Sequence, residues 1–251
     1  MLPTERQNAI LDLLAKQGFA SVAELGQMLS VSDMTIRRDL AELQKQGVLQ
    51  RTYGGATVTE AVFFELSLKT KMTRYVGEKE QIGKAAADMV QDGDIVVLDA
   101  GSTTTYVARN LKGKRLTIVT NSLNIASELL NCQNVQILIA GGILRQDVLA
   151  IIGPQTVAFF EDLRADKLFL GVEGVDVRSG LTVPDVIEAH TKRAMTRSAR
   201  RTIVVADHSK LGRDTLGSII SLAEADCLVT DSGAPAEIVE QLKQHLDVVI
   251  A

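Results

Sequence analysis

A chain of 251 residues, 46% hydrophobic and 23% charged, has room for one large globular domain or a small one joined to a medium one. No apolar run reaches membrane-spanning length, and the first helical stretch carries Glu5, Arg6 and Asp12, unlike a secretory signal. No membrane partner is expected. Cys132 and Cys227 sit among apolar residues and form no CxxC pair, so a reduced, cytoplasmic protein is the simplest expectation.

Pro3 suits the first turn of a helix, Ile10, Leu13 and Leu14 give it an apolar face, and Gly18 is a natural stop. Ser21-Val22-Ala23-Glu24 has the form of a capping box and starts a second helix with Leu25 and Leu29 inward. After a short turn at Ser30-Val31, Ser32 stands as N-cap to a third helix that ends near Gly47. Its Ile36, Leu40 and Leu43 recur at helical spacing, whereas Thr35, Arg37 and Arg38 lie off that stripe near the amino end. Two β-prone arms around Gly54-Gly55, from Val48 to Val58, then predict a hairpin. Helix, helix, tight turn, helix and hairpin make a winged helix-turn-helix head. Adjacent arginines on such a third helix face phosphates and base edges, and Arg51 and Tyr53 would reach the backbone or minor groove from the wing. Alternatively, this is a solvated face on an ordinary small helix.

The net charge of −4 does not point to nucleic acid, although local clustering is what counts. Residues 1–60 hold six basic and seven acidic side chains, so a single head is almost neutral and should neutralise few phosphates. Affinity for DNA would then need two or more heads acting together.

Residues 59–77 read as a connector that packs on one of the domains, since they lack the Gly, Ser and Pro of a flexible spacer. Phe63-Phe64 falls here, with a short helix expected from Phe64 to Lys69. A lever passing ligand state to the heads is the other option. From residue 78 the pattern changes to short apolar runs at 94–99, 116–119, 135–140, 167–171, 202–206, 227–230 and 248–250. Helix-compatible stretches separate most of them. This alternation predicts an α/β fold in which residues 78–251 form a Rossmann-like open, mostly parallel sheet, following a small head at 1–58.

Ligands of such sheets bind beyond the carboxyl ends of the strands. Asp99-Ala100-Gly101-Ser102-Thr103-Thr104 follows the first run, and its glycine, hydroxyls and helix start suit a phosphate. Asn121 and Ser122 follow the second, Gly141-Gly142 the third, Glu173 the fourth, and Asp207 with Lys210 the fifth. Taken singly, each has a plain structural reading as cap or turn; together they predict a pocket for a polyhydroxylated, phosphorylated small molecule. There is no G-x-G-x-x-G and no G-K-[ST], so neither a dinucleotide nor a hydrolysed nucleotide is expected. His190, His208 and His245 are scattered and suggest no metal centre. No cofactor is expected.

The string Ser32-Asp33-Met34-Thr35-Ile36-Arg37-Arg38-Asp39-Leu40, spaced as it is from Arg6 and Ile10 and followed by Arg51 and Gly54-Gly55, resembles the winged head of the DeoR family of bacterial transcriptional regulators. D-x-G-S-T-T (99–104), T-N-S (120–122), A-G-G (140–142), I-I-G-P (151–154), E-x-x-x-K (Glu188, Lys192) and A-D-H-S-K (206–210) resemble its second half in the same order. The resemblance implies a repressor of a carbohydrate-utilisation operon. Ser32, Met34, Thr35, Arg37, Arg38, Arg51 and Tyr53 would meet double-stranded operator DNA, and Asp39 would brace an arginine or the helix surface rather than touch DNA. It implies a sensor similar to ribose 5-phosphate isomerases. Gly101 to Thr104 would hold the effector phosphate, and Asn121, Glu173, Asp207 and Lys210 would line the sugar. Lys192 would lie near the isomerase-like position, and the protein would be a homo-oligomer, dimer or tetramer. Where those isomerases carry an Asp-rich loop, this chain has Gly171-Val172-Glu173-Gly174-Val175-Asp176, so no enzyme activity is expected. A metabolite-binding protein whose head contacts other proteins is the remaining reading.

Overall fold

The computed structural model describes residues 2–45, 49–57 and 67–251. The chain divides into two units, Met1–Arg74 and Tyr75–Ala251. The expected helix end at Gly47, the hairpin-arm residues Val48 and Val58, and the Phe63-Phe64 pair lie outside the described residues.

In the first unit, α1 (Pro3–Gln17) is followed by β1 (Phe19–Ser21) and α2 (Val22–Met28). The capping box forms as expected: Glu24 N–H donates to Ser21 Oγ, and Ser21 N–H donates to Glu24 Oε2 at 2.8 Å. α3 (Asp33–Lys45) is capped by Ser32, whose Oγ accepts from Thr35 N–H at 3.3 Å. Ile36, Leu40 and Leu43 pack with Ile10, Leu14 and Leu25 into the core of the unit. β2 (Gln50–Thr52) and β3 (Gly55–Thr57) form the hairpin, antiparallel with Arg51 opposite Ala56. β1 extends it to a three-stranded sheet by pairing with β3, Ala20 opposite Ala56. That pairing depends on Gly55, because a Cβ there would lie 2.3 Å from the Ala20 carbonyl oxygen. α4 (Leu68–Thr73) closes the unit, and Arg74 Nε donates to Asn8 Oδ1 at 3.3 Å.

The second unit begins with α5 (Val76–Asp88). Then come β4 (Ile95–Leu98), α6 (Ser102–Asn110), β5 (Leu116–Thr120), α7 (Leu123–Leu129) and β6 (Val135–Ile139). A hairpin of β7 (Ile143–Arg145) and β8 (Ala150–Ile152) leads into α8 (Pro154–Glu161). β9 (Ala165–Gly171), β10 (Gly174–Asp176) and β11 (Gly180–Val183) precede α9 (Val186–Ser198) and β12 (Ala199–Val205). The chain ends with β13 (Gly217–Ile220), β14 (Cys227–Thr230), α10 (Ala236–Leu242) and β15 (Asp247–Ile250).

The seven apolar runs read from the sequence are the seven strands of one parallel sheet, ordered β15-β14-β12-β9-β4-β5-β6. Because side chains alternate along a strand, its residues divide between two cores. Val97, Val119, Leu168, Leu170 and Val204 join Phe160, Ala189 and Met195 of α8 and α9 on one face. Val96, Leu98, Ile118, Phe169 and Val205 join Ile82, Val107, Leu111 and Ile125 of α5, α6 and α7 on the other. Both faces are covered, as parallel sheets require, which is why these runs are mostly apolar. A small antiparallel sheet, β10-β11-β13, adds Val175, Leu181 and Ile219 to the first core. No helix among the described residues is long and apolar enough to cross a membrane.

Candidate DNA-reading face and effector site

In the first unit, α3 has one face toward the core and the opposite face in water. Met34, Arg37, Arg38, Ala41 and Lys45, spaced by three and four residues, make an exposed and mainly cationic stripe, with exposed Glu42 at its edge four residues after Arg38. Among the described residues no acid pairs with Arg37, Arg38 or Arg51. Asp39 is turned away and buried, where Arg6 holds it with two hydrogen bonds, Nε to Oδ2 at 2.5 Å and Nη2 to Oδ1 at 3.2 Å. The Asp39 carboxylate in turn raises the Arg6 guanidinium above its ordinary value. This bidentate clamp ties α3 to α1, so the acid is neutralised internally and the exposed stripe stays cationic. Thr35 shares its hydroxyl with Ser32 Oγ at 2.9 Å and is half-buried. Tyr53 stands fully exposed at the hairpin tip beside Gly54.

In the second unit, the loops after the parallel strands place most expected residues together. Asp99 is buried at the end of β4. Its Oδ2 accepts from Lys192 Nζ and from Gly171 N–H, the latter at 3.0 Å, while Oδ1 has no hydrogen-bond partner among the described residues. Lys192, equally buried on α9, also reaches the Gly171 carbonyl and Glu188 Oε1, each at 3.1 Å. Burial alone would lower the lysine, but the Asp99 and Glu188 carboxylates overcome it and hold the ammonium above its usual value. Burial pushes the Asp99 carboxyl upward, against the pull of Lys192 and the Gly171 amide. Glu188 continues outward to Arg145 Nη1 at 2.8 Å, so a chain of alternating charge joins β7, α9 and the β4 loop.

The turn from β4 into α6 has the features of an anion site. Gly101 runs extended into the helix, and the amides of Ser102, Thr103 and Thr104 in its first turn have no intrahelical acceptor. Thr104 and Thr105 spend their hydroxyls on the Gly101 carbonyl, at 3.0 and 2.7 Å. Ser102 and Thr103 are buried, 7% and 8% exposed as residues, and their hydroxyls have no hydrogen bond among the described residues. Two hydroxyls and a turn of free amides at a positive helix end suit a phosphate.

Other expected residues serve the frame. Asn121 is buried, its Oδ1 accepting from Ala100 N–H and its Nδ2 donating to the Ile151 carbonyl, both at 3.0 Å. It fixes the β4 loop against β8. Ser122 is buried too and caps α7 by accepting from Ile125 N–H at 3.2 Å. Gly141 has open space about it, but a Cβ on Gly142 would meet Thr156 Oγ1 at 2.3 Å and the Ile152 carbonyl at 2.7 Å, so Gly142 serves close packing. Glu173 and Lys210 pair at 2.5 Å, half-exposed, across the ends of β9 and β12. Asp207 Oδ1 accepts from Ser209 N–H at 3.1 Å, and its Oδ2, 4.0 Å from Lys79 Nζ, has no hydrogen bond among the described residues.

Sequence reading assigned no role to Arg145, Lys79, Tyr75 or His208. The ring of His208 bonds Asp231 Oδ1 at 2.8 Å and packs edge-on against Tyr75, with ring centres 4.9 Å apart. Tyr75 takes a left-handed φ of 51° as it opens α5. Glu188 was visible through its i, i+4 spacing to Lys192; the others come from elements too far apart in sequence to be read together. A cavity of about 400 Å³ between α8 and α9, lined by Pro154, Val157, Val186 and Ile187 among others, contains none of the expected effector residues.

The whole chain matches known regulators in the same two parts. Residues 6–62 match the DeoR-like helix-turn-helix domain, and residues 74–232 match the DeoR C terminal sensor domain. The chain belongs to the DeoR family. DeoR proteins regulate transcription, and this one is a regulator, not an enzyme. It is 36% identical over 246 residues to the glycerol-3-phosphate regulon repressor of Escherichia coli K12, covering 98% of this chain and 97% of that one. A putative aga operon transcriptional repressor of Escherichia coli O157:H7 is 36% identical over 244 residues, 96% of this chain and 91% of the other. The regulator GlpR of Haloferax volcanii is 38% identical over 244 residues, 97% and 95% of the two chains.

Proposed function

We propose that this DeoR protein represses an operon of carbohydrate use, and that a phosphorylated sugar or related metabolite, bound at the carboxyl ends of β4, β9 and β12, modulates its grip on operator DNA. The head supplies the exposed stripe of α3 and the wing residues Arg51 and Tyr53. The sensor supplies a phosphate seat at Gly101, Ser102, Thr103 and Thr104, with Glu173, Lys210 and Asp207 toward the sugar. Asn121, Ser122, Gly142 and Lys192 act by holding that frame, and Gly141 leaves it open. Because one head is nearly neutral, the protein works as a homo-oligomer, dimer or tetramer, that brings heads in pairs.

The observation that carries the sensor half of this reading is the pair of unengaged hydroxyls on Ser102 and Thr103, beside first-turn amides without acceptors. A thermal-shift screen of glycerol, triose, pentose and hexose phosphates tests it. A ligand at a hundred times its Kd should add about 2.7 kcal/mol of stability. Ser102→Phe should abolish that shift while leaving operator binding in place. If Ser102→Phe responds to the same compound at the same concentration as the parent, the phosphate seat is elsewhere.

A further inference from the structure

Met34 is the one apolar side chain on the cationic stripe of α3 large enough to reach beyond the helix surface. It is 77% exposed, whereas Ile36, two residues on, is fully buried. A step of two residues turns a helix by about 200°, so Met34 points directly away from the core. Arg37 and Arg38, three and four residues later, flank it on the same face. Among the described residues the core of the head does not include Met34, and no fold requirement places an apolar side chain there.

A helix of this kind puts its amino-terminal residues against base edges in the major groove, while residues further along meet the backbone. Met34 lies in the first turn, ahead of both arginines. The major groove offers hydrogen-bonding edges at every base pair but one apolar group, the C5 methyl of thymine. Met is unbranched, with a polarizable sulfur, and adapts to an apolar partner whose position varies by fractions of an ångström. Thr35, the neighbouring side chain with a methyl, is half-buried and tied to Ser32 through its hydroxyl. We propose that Met34 is a specificity-determining residue of the head, reading a thymine in each half-site by contact with its C5 methyl. This rests on the reading of α3 as the operator-facing helix, and adds to it the identity of one base.

The experiment uses the full-length protein and DNA that it selects from a pool of random duplexes. In the enriched site each thymine is replaced in turn by uracil, which removes the methyl and keeps every hydrogen-bonding edge. One thymine per half-site should stand out, its replacement weakening the parent by about fourfold, the worth of one buried methyl group. Met34→Ala should bind the thymine and uracil duplexes equally well at that position. Met34→Leu, which keeps an apolar side chain, should recover most of the discrimination. The proposal is overturned if uracil costs the parent and Met34→Ala the same at every position, or costs the parent nothing anywhere. A pool in which no sequence is enriched would instead overturn the operator-facing reading of α3, and the thymine contact with it. Met34 is exposed and supports no packing, so the variants keep the fold; an unchanged melting temperature checks this.

Discussion

The surroundings of His208 fix the sign of its effect on stability. Its hydrogen bond to Asp231 raises the imidazole above its ordinary value; burial opposes this, and the charges of Asp231, Asp207 and Glu78 reinforce it. The Asp231 carboxyl is depressed despite its burial, because it accepts from the His208 ring and from the His208 and Gly233 amides. A group with a raised folded-state value gives its full stability below the unfolded value, about 6.5 for histidine, and loses it as pH rises through the higher folded one. The melting temperature of the parent should therefore exceed that of His208→Gln most at pH 6, with the gap closing toward pH 9. A gap that widens with pH would mean that the ring is not charged against Asp231. At this scale Asp39 was legible as a brace for an arginine or the helix surface, since a carboxylate beside an operator needs neutralising, but not that Arg6 is its partner. Asn121 was not: its spacing suited a ligand contact, yet both ends of its amide are used to join Ala100 to Ile151.

Elements were legible where burial on both sides leaves a mark in the sequence. The central parallel strands carry apolar runs because helices cover both faces of the sheet there; Thr117 interrupts the run of β5, and Gln136 that of β6, an edge strand with no fully buried residue. Shorter strands leave no such mark. β1, β7 and β10 have three residues each, and β13 pairs with β11 although some 35 residues separate them. The Asp99–Lys192 contact joins groups 93 residues apart and follows only once β4 and α9 are placed. In the head, Gly54-Gly55 announced a hairpin but not that Gly55 also admits β1 on the other side. Gly55→Ala would set a Cβ 2.3 Å from the Ala20 carbonyl oxygen, with the Phe19 ring 2.9 Å away. Overpacking of this kind costs about 1–3 kcal/mol. The expected result is a destabilised head and weakened operator binding, with the sensor unit melting as in the parent. Amide exchange across β1 and β3 reads this out; if protection there is unchanged, the third strand contributes nothing to the wing.

For the molecule as a whole, charge bears on how many heads must act at once. Net charge of −4 overall, and near neutrality over residues 1–60, leave long-range attraction to DNA weak. What remains is local: Arg37, Arg38 and Lys45 exposed on α3 and Arg51 on the wing, while Asp39 is withdrawn into its pair with Arg6. If those four cations each neutralise a phosphate, one head gives a slope of log K against log salt of about −3.6, and two heads about −7. The repressor reading requires the steeper value. Titrating operator fragments between 50 and 300 mM salt measures it, and Arg51→Ala should reduce the slope by about 1.8 if two wings engage or about 0.9 if one does. A slope near −3.6 with the smaller change would show a single head on DNA, and pairing of heads could then not be what the sensor controls. The steeper slope, unchanged by Ser102→Phe, would separate the proposed roles of the two halves: cations of α3 and the wing holding DNA, and the β4–α6 turn seating the phosphate that regulates them.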